Sequence, residues 1–190
     1  ADYLLPDLGA GTTHNALEHA NAAPRKIVVV TPEPTSIQNA YGFIKNALFR
    51  HLGRHFHANQ LVKDLLSGGK VFGGDVPPET VKQMISFLNA KLPDLGAEFE
   101  SLVRGYQCEL ILNMASPPQD RKVYSVMRSV SKGYLDLDLE LLGAIPKDER
   151  VSRSVDQMCP LAVAYPDSEP AKALAAIASR LTNPSFANLI

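Results

Sequence analysis

Over its first fifty residues the chain alternates between short unbroken apolar runs and longer stretches in which apolar side chains return every three or four positions. Tyr3-Leu-Leu5 leads through Pro6 to an acidic residue, Asp7, and to Gly9-Ala10-Gly11. That order predicts a buried strand whose carboxyl end delivers a carboxylate and a flexible turn to a ligand crevice. Residues 13–22 read as a short helix with Thr12 or Thr13 as its cap. Lys26-Ile-Val-Val-Val-Thr31 predicts a strand covered on both faces, because its β-branched residues do not alternate with polar ones. Pro32 and Pro34 end it, since neither can donate to a ladder. A long helix follows from Thr35 or Ser36, with Ile37, Ala40, Tyr41, Ile44, Leu48 and Leu52 at helical spacing. Strand followed by helix is the grammar of a parallel α/β sheet.

From about His51 to Tyr106 the strand signal stops and helical patterns follow one another, which predicts a helical insertion at residues 51–106. One helix opens at Pro78-Glu79 with Val81, Met84, Ile85, Leu88 and Leu92 on one face, and a second runs from Leu95 with Phe99, Leu102, Val103 and Tyr106. Sheet grammar returns in Gln107-Cys-Glu-Leu-Ile-Leu-Asn113, a strand closing on an amide, and again in Leu139 to Pro146. Helices are predicted between them around Val123, Val126, Met127 and Val130, and after them from Asp148 and from around Asp167-Ser-Glu-Pro170, with a loose tail over residues 182–190.

Composition narrows the function. Nineteen basic and twenty acidic side chains give a net charge of −1, so no broad footprint for nucleic acid or anionic lipid is evident. No run is long enough to span a bilayer, and Cys108 and Cys159 form no metal or redox spacing, which together predict a cytoplasmic protein. The length suits one domain, and opening on a strand without an initiator Met predicts the later part of a longer protein.

The four predicted strands end in Asp7, Thr31-Pro32, Asn113 and Ile145-Pro146, and in an open parallel sheet such ends share the edge where ligands bind. Asp7 suits a hydrated Mg²⁺ or a phosphate, Asn113 suits the edge of a heterocycle, and the Pro146 loop offers backbone groups. His51, His55 and His57 look like a solvated helix end rather than a metal site, because no HExxH-type Glu or nearby Cys accompanies them. Cys108 reads as core packing.

Asp2-Tyr-Leu-Leu-Pro-Asp-Leu-Gly-Ala-Gly11 resembles the Walker B and switch II stretch of the MinD/ParA-type deviant P-loop ATPases, with closest similarity to the MinD-like branch that includes the FlhG flagellar-number regulators. Val30 to Ala40 resembles the strand and helix that follow, Leu110-Ile-Leu-Asn113 the strand with the adenine-contacting Asn, and Leu142 to Asp148 the adenine-side loop. Tyr165-Pro-Asp-Ser168 before an alanine-rich helix also fits. The resemblance implies a partial, mostly parallel, doubly wound sheet of P-loop NTPase type in which residues 1–190 are the later part of one ATPase domain. It implies ATP and Mg²⁺ as cofactors, with Asp7 holding the metal through water and Gly11 sensing the γ-phosphate as the catalytic pair. Gly9 and Ala10 would lie along the switch, Asn113 would read adenine, and Pro146, Lys147 and Asp148 would border the base. It further implies an ATP-dependent homodimer acting as a switch in cellular positioning, with a regulatory protein partner. The phosphate-binding Walker A loop has no counterpart in the sequence. Ser67-Gly-Gly-Lys-Val-Phe-Gly-Gly74 reads as a plain loop, because Val71 stands where a Mg²⁺-binding Ser or Thr belongs. The isolated chain is therefore expected not to hydrolyse ATP. The competing expectations are a non-catalytic interaction module of the same fold, docking a partner on residues 51–106, and, more distantly, a flavodoxin-like small-molecule binder.

Overall fold

Asp2 to Gly9 forms no strand in the computed structural model, which describes residues 2–9, 11, 13–68 and 77–182. Leu4 and Leu5 are 86% and 76% exposed, which corrects the expected first strand. The physical reason lies in the run itself. Its leucines are not β-branched, Pro6 has no N–H to give a ladder, and no strand among the described residues pairs with it.

By its contacts the chain divides into two compact units, Ala1–Lys26 with Tyr41–Cys108 and Arg128–Leu139, and Ile27–Ala40 with Glu109–Met127 and Glu140–Ile190. The first is helical. It contains α1 (His14–Ala22), the greater part of α2 (Pro34–His55), α3 (Gln60–Leu66), α4 (Val81–Lys91), α5 (Pro93–Arg104) and a short π-helix (Ser131–Leu135) that no sequence pattern announced. Thr13 caps α1 as expected, its hydroxyl accepting the Ala16 N–H. α4 starts later than Pro78-Glu79, because the Thr80 hydroxyl accepts the Gln83 N–H while the Gln83 side chain accepts the Thr80 N–H, a reciprocal cap that fixes the first turn. Ile44, Leu48, Leu52, Val62, Leu65, Val81, Leu88 and Phe99 are sealed from solvent, and Phe56 stacks on Phe99 with ring centres 5.7 Å apart. Glu18 of α1 bridges Arg50 and Arg54 of α2, and the Arg50 hydrogen bond holds its carboxyl below the usual range.

His51 is not the solvated group the sequence suggested. Its ring lies 5.4 Å from that of Tyr106, and burial pushes its imidazole pKa down. Lys26 Nζ stands 4.5 Å over the same Tyr106 ring, while the phenol donates to Asn21 Oδ1 at 3.0 Å. Cys108 is buried, as expected.

The second unit holds a three-stranded parallel sheet in the order β1 (Lys26–Val30), β2 (Cys108–Ala115), β3 (Glu140–Pro146), so the chain is α/β. β1 is one of the two end strands, and one of its faces is only partly closed: Val28 and Val30 are buried, whereas on the other face Ile27 is half-buried and Val29 is 56% exposed. The expectation of cover on both faces is thereby corrected. α9 (Glu169–Thr182) packs on β3, where Ile111, Leu142 and Ile177 form a core with Ile27, Ile145 and Leu181 beside it. Gly143 permits that approach, because an added Cβ would lie 2.6 Å from Ile177 Cγ1. Arg180 of α9 donates to the Leu142 carbonyl at 2.6 Å. At the start of α9 the Ser168 hydroxyl is buried and accepts the Ala171 N–H, as an N-cap should. α6 (Gln119–Val130) leads from β2 toward β3, and α7 (Glu149–Asp156) and the short α8 (Leu161–Ala164) lie between β3 and α9. No helix among the described residues is long and apolar enough to cross a membrane.

Candidate functional site

The carboxyl ends of β2 and β3 come together in the second unit, and there the chain gathers four of its sequence-predicted site residues. The ladder places Ala115 beside Pro146, and the Lys147 N–H donates to the Ala115 carbonyl at 3.1 Å. Asn113 stands two residues inside the end of β2 rather than closing it, a correction to the predicted boundary. The cause is a bulge. Leu112 pairs with Ala144 and Ala115 with Pro146, so Asn113 and Met114 together oppose the single residue Ile145. Met114 takes a φ of 54°, and its N–H donates to Asn113 Oδ1 at 2.9 Å.

That contact settles which way the amide faces. Oδ1 must be the acceptor toward the backbone, so the Nδ2 group is turned away from it and has no protein partner among the described residues. Asn113 is half-buried and offers two donors to whatever lies at the strand end.

Asp148 is already committed. Its carboxylate caps α7 by accepting the Arg150 N–H at 2.8 Å, and it holds the Arg150 guanidinium through contacts of 2.6 to 3.0 Å. The Arg150 side chain, and then its backbone N–H, hold the Asp148 carboxyl below the usual carboxylate range, and the same pairing raises the guanidinium. Asp148 thus shapes the loop through α7, while Lys147 is exposed beside it. At the end of β1, the Thr31 N–H donates to Ser36 Oγ at 3.0 Å, and the Thr31 hydroxyl bonds Glu33.

Asp7, Gly9 and Gly11 belong to the first unit, and Ala10 lies outside the described residues. Asp7 is exposed, and its Oδ1 accepts the Gly9 N–H at 3.2 Å, which closes a small turn. Gly9 has a φ of 65° and Gly11 a φ of 142°, both of which suit glycine. Lys70 and the glycines of residues 69–74 also lie outside the described residues. Met114 is the residue at the strand ends that sequence reasoning passed over. A lone Met after an amide carries no motif, and the bulge that displays it arises from pairing with β3.

No protein-family profile matches the chain. The chain is similar to the antiactivator FleN of Pseudomonas aeruginosa, with 24% identity over 181 residues that cover 95% of this chain and 46% of FleN. The likeness supports a relation to the FleN and MinD group and no finer placement. The chain spans a little under half the length of that relative.

Proposed function

We propose that this chain supplies the base-binding part of a MinD/ParA-like regulatory ATPase that works as an ATP-dependent dimerisation switch, laid on a P-loop-type doubly wound sheet. The observation that carries the reading is the placement of Asn113 and the Pro146-Lys147-Asp148 loop at adjoining carboxyl ends of a parallel sheet. Similarity to a protein named an antiactivator supports a regulatory rather than a metabolic role.

The donor set fits a nucleotide in part. The Asn113 Nδ2 group would donate to a ring nitrogen of the base, and the Pro146 to Asp148 loop, held by Arg150, would border it. Asp7 offers a single carboxylate, and no group of three ligating side chains occurs among the described residues. One carboxylate suits a Mg²⁺ whose other ligands are phosphate oxygens and water. That ion would supply charge neutralisation at the phosphates, and Asp7 would orient one of its waters. Release of a γ-phosphate and its metal from a glycine-bearing loop is the general basis of such switches.

Calorimetric titration with Mg·ATP of the chain, and of a form extended upstream by a phosphate-binding segment, tests this. We expect binding by that longer form, weakened at least about tenfold by Asn113→Ala, which removes a half-buried donor. Unchanged affinity in that variant would sink the assignment. A second reading, a non-catalytic interaction module, is favoured by one observation: Asp7 sits on an exposed segment instead of at the end of a paired strand. Failure of both the chain and the extended form to bind would select it.

A further inference from the structure

Among the described residues, three other than glycine adopt a left-handed backbone, and two of them end helices. Asp136 closes the π-helix, its N–H donating to the Ser131 carbonyl. Met158 follows α7, where the Cys159 N–H reaches back to the Ser154 carbonyl, the usual setting for such a residue. Met114 has no such explanation. It interrupts a strand whose neighbours Leu110, Ile111, Leu112 and Ala115 are all buried, and it is itself 49% exposed. Methionine has no polar group with which to stabilise a left-handed backbone locally, as Asn or Asp can.

The bulge accounts for the conformation and also for its result. In a regular strand successive side chains point to opposite faces. Here the extra residue breaks that alternation at the very position where Asn113 frees its amide, and it leaves a flexible, polarisable thioether exposed at the carboxyl end of the sheet beside the Pro146 pairing. A planar heterocycle needs two kinds of contact, polar groups in its plane and an apolar surface against its face.

We propose that Met114 covers the face of a planar heteroaromatic ring whose edge Asn113 holds. This rests on the base-binding reading above and adds to it the residue that contacts the ring's π-surface. Sulfur and aromatic rings attract each other at about 5 Å, which makes the thioether a suitable cover.

The test uses the chain with ¹³C-methyl methionine and adenosine as the probe, which removes the phosphates from the question. Four methyl signals are expected, with Met84 and Met127 buried and Met158, 94% exposed, as the internal control. The Met114 methyl should move upfield and saturate, because it enters the ring current, while Met158 stays in place. Met114→Gly suits the positive φ and keeps the bulge, and it should weaken adenosine binding by up to about tenfold. A stationary Met114 signal with saturating shifts of the Asn113 side-chain amide would overturn the proposal and leave the base site standing. Saturation of neither signal would overturn the base-binding reading and this proposal with it. Parallel, non-saturating drift of Met114 and Met158 would equally count against a defined site.

Discussion

Two apolar runs, Tyr3 to Leu5 and Ile27 to Val30, meet opposite fates. The second pairs with β2 and buries Val28 and Val30; the first stays exposed and joins no sheet among the described residues. Hydrophobicity does not separate them. What separates them is whether a neighbouring strand can satisfy the backbone, and Pro6 and the unbranched leucines make the first run the poorer claimant. A strand is thus a property of a pair, and a run of apolar residues is only an offer to make one.

The sharpest way to break this comparison is to charge both runs. Val30→Asp places a carboxylate where nothing is exposed, and should cost more than about 3 kcal/mol in denaturant unfolding. Leu5→Asp should stay within about 0.5 kcal/mol. Equal effects would mean that the first run is packed in solution. A smaller loss tests the cover over the sheet: Gly143→Ala drives a methyl group into Ile177 and should cost about 1–3 kcal/mol, read as a lowered midpoint with an unchanged slope. Ser168→Ala removes the cap of the same covering helix and should cost about 1 kcal/mol.

The smallest effect concerns protons. The Asp148 carboxyl is held below its ordinary 3.8 by Arg150. A carboxylate with a depressed folded pKa contributes stability above its unfolded pKa, and that contribution is lost as the pH falls through the folded value. Carboxyl ¹³C titration should therefore place the Asp148 midpoint below 3.8, and Arg150→Leu should move it back up. An unmoved midpoint would show that the pair is open in solution.

The helices were legible because their signals are local. Thr13, Asp148 and the periodic apolar faces of α2, α4, α5 and α9 each act within one or two turns, and β1, β2 and β3 followed from β-branched or apolar runs. The site was legible only as types of residue. Asn113 and Pro146 reach adjoining strand ends because β2 and β3 pair, and the one-residue bulge that re-aims Met114 depends on a register that neither strand encodes alone. Asp148 carried a cap signal that was readable, whereas its capture by Arg150 was not. The exposure of Val29 on β1 escaped for the same reason as the missing first strand: cover and pairing are supplied by something other than the segment itself.

The contact between Arg180 and Leu142 bears on how the protein behaves in a crowded solution. Leu142 is the residue skipped where the β3 ladder shifts register, and its carbonyl is taken by a guanidinium from α9. A strand edge that is bent by a bulge and blocked by a charged side chain is a poor template for fibril growth. β1 is the other end strand and is rich in β-branched residues, so any aggregation by strand addition should start there and spare the β3 side.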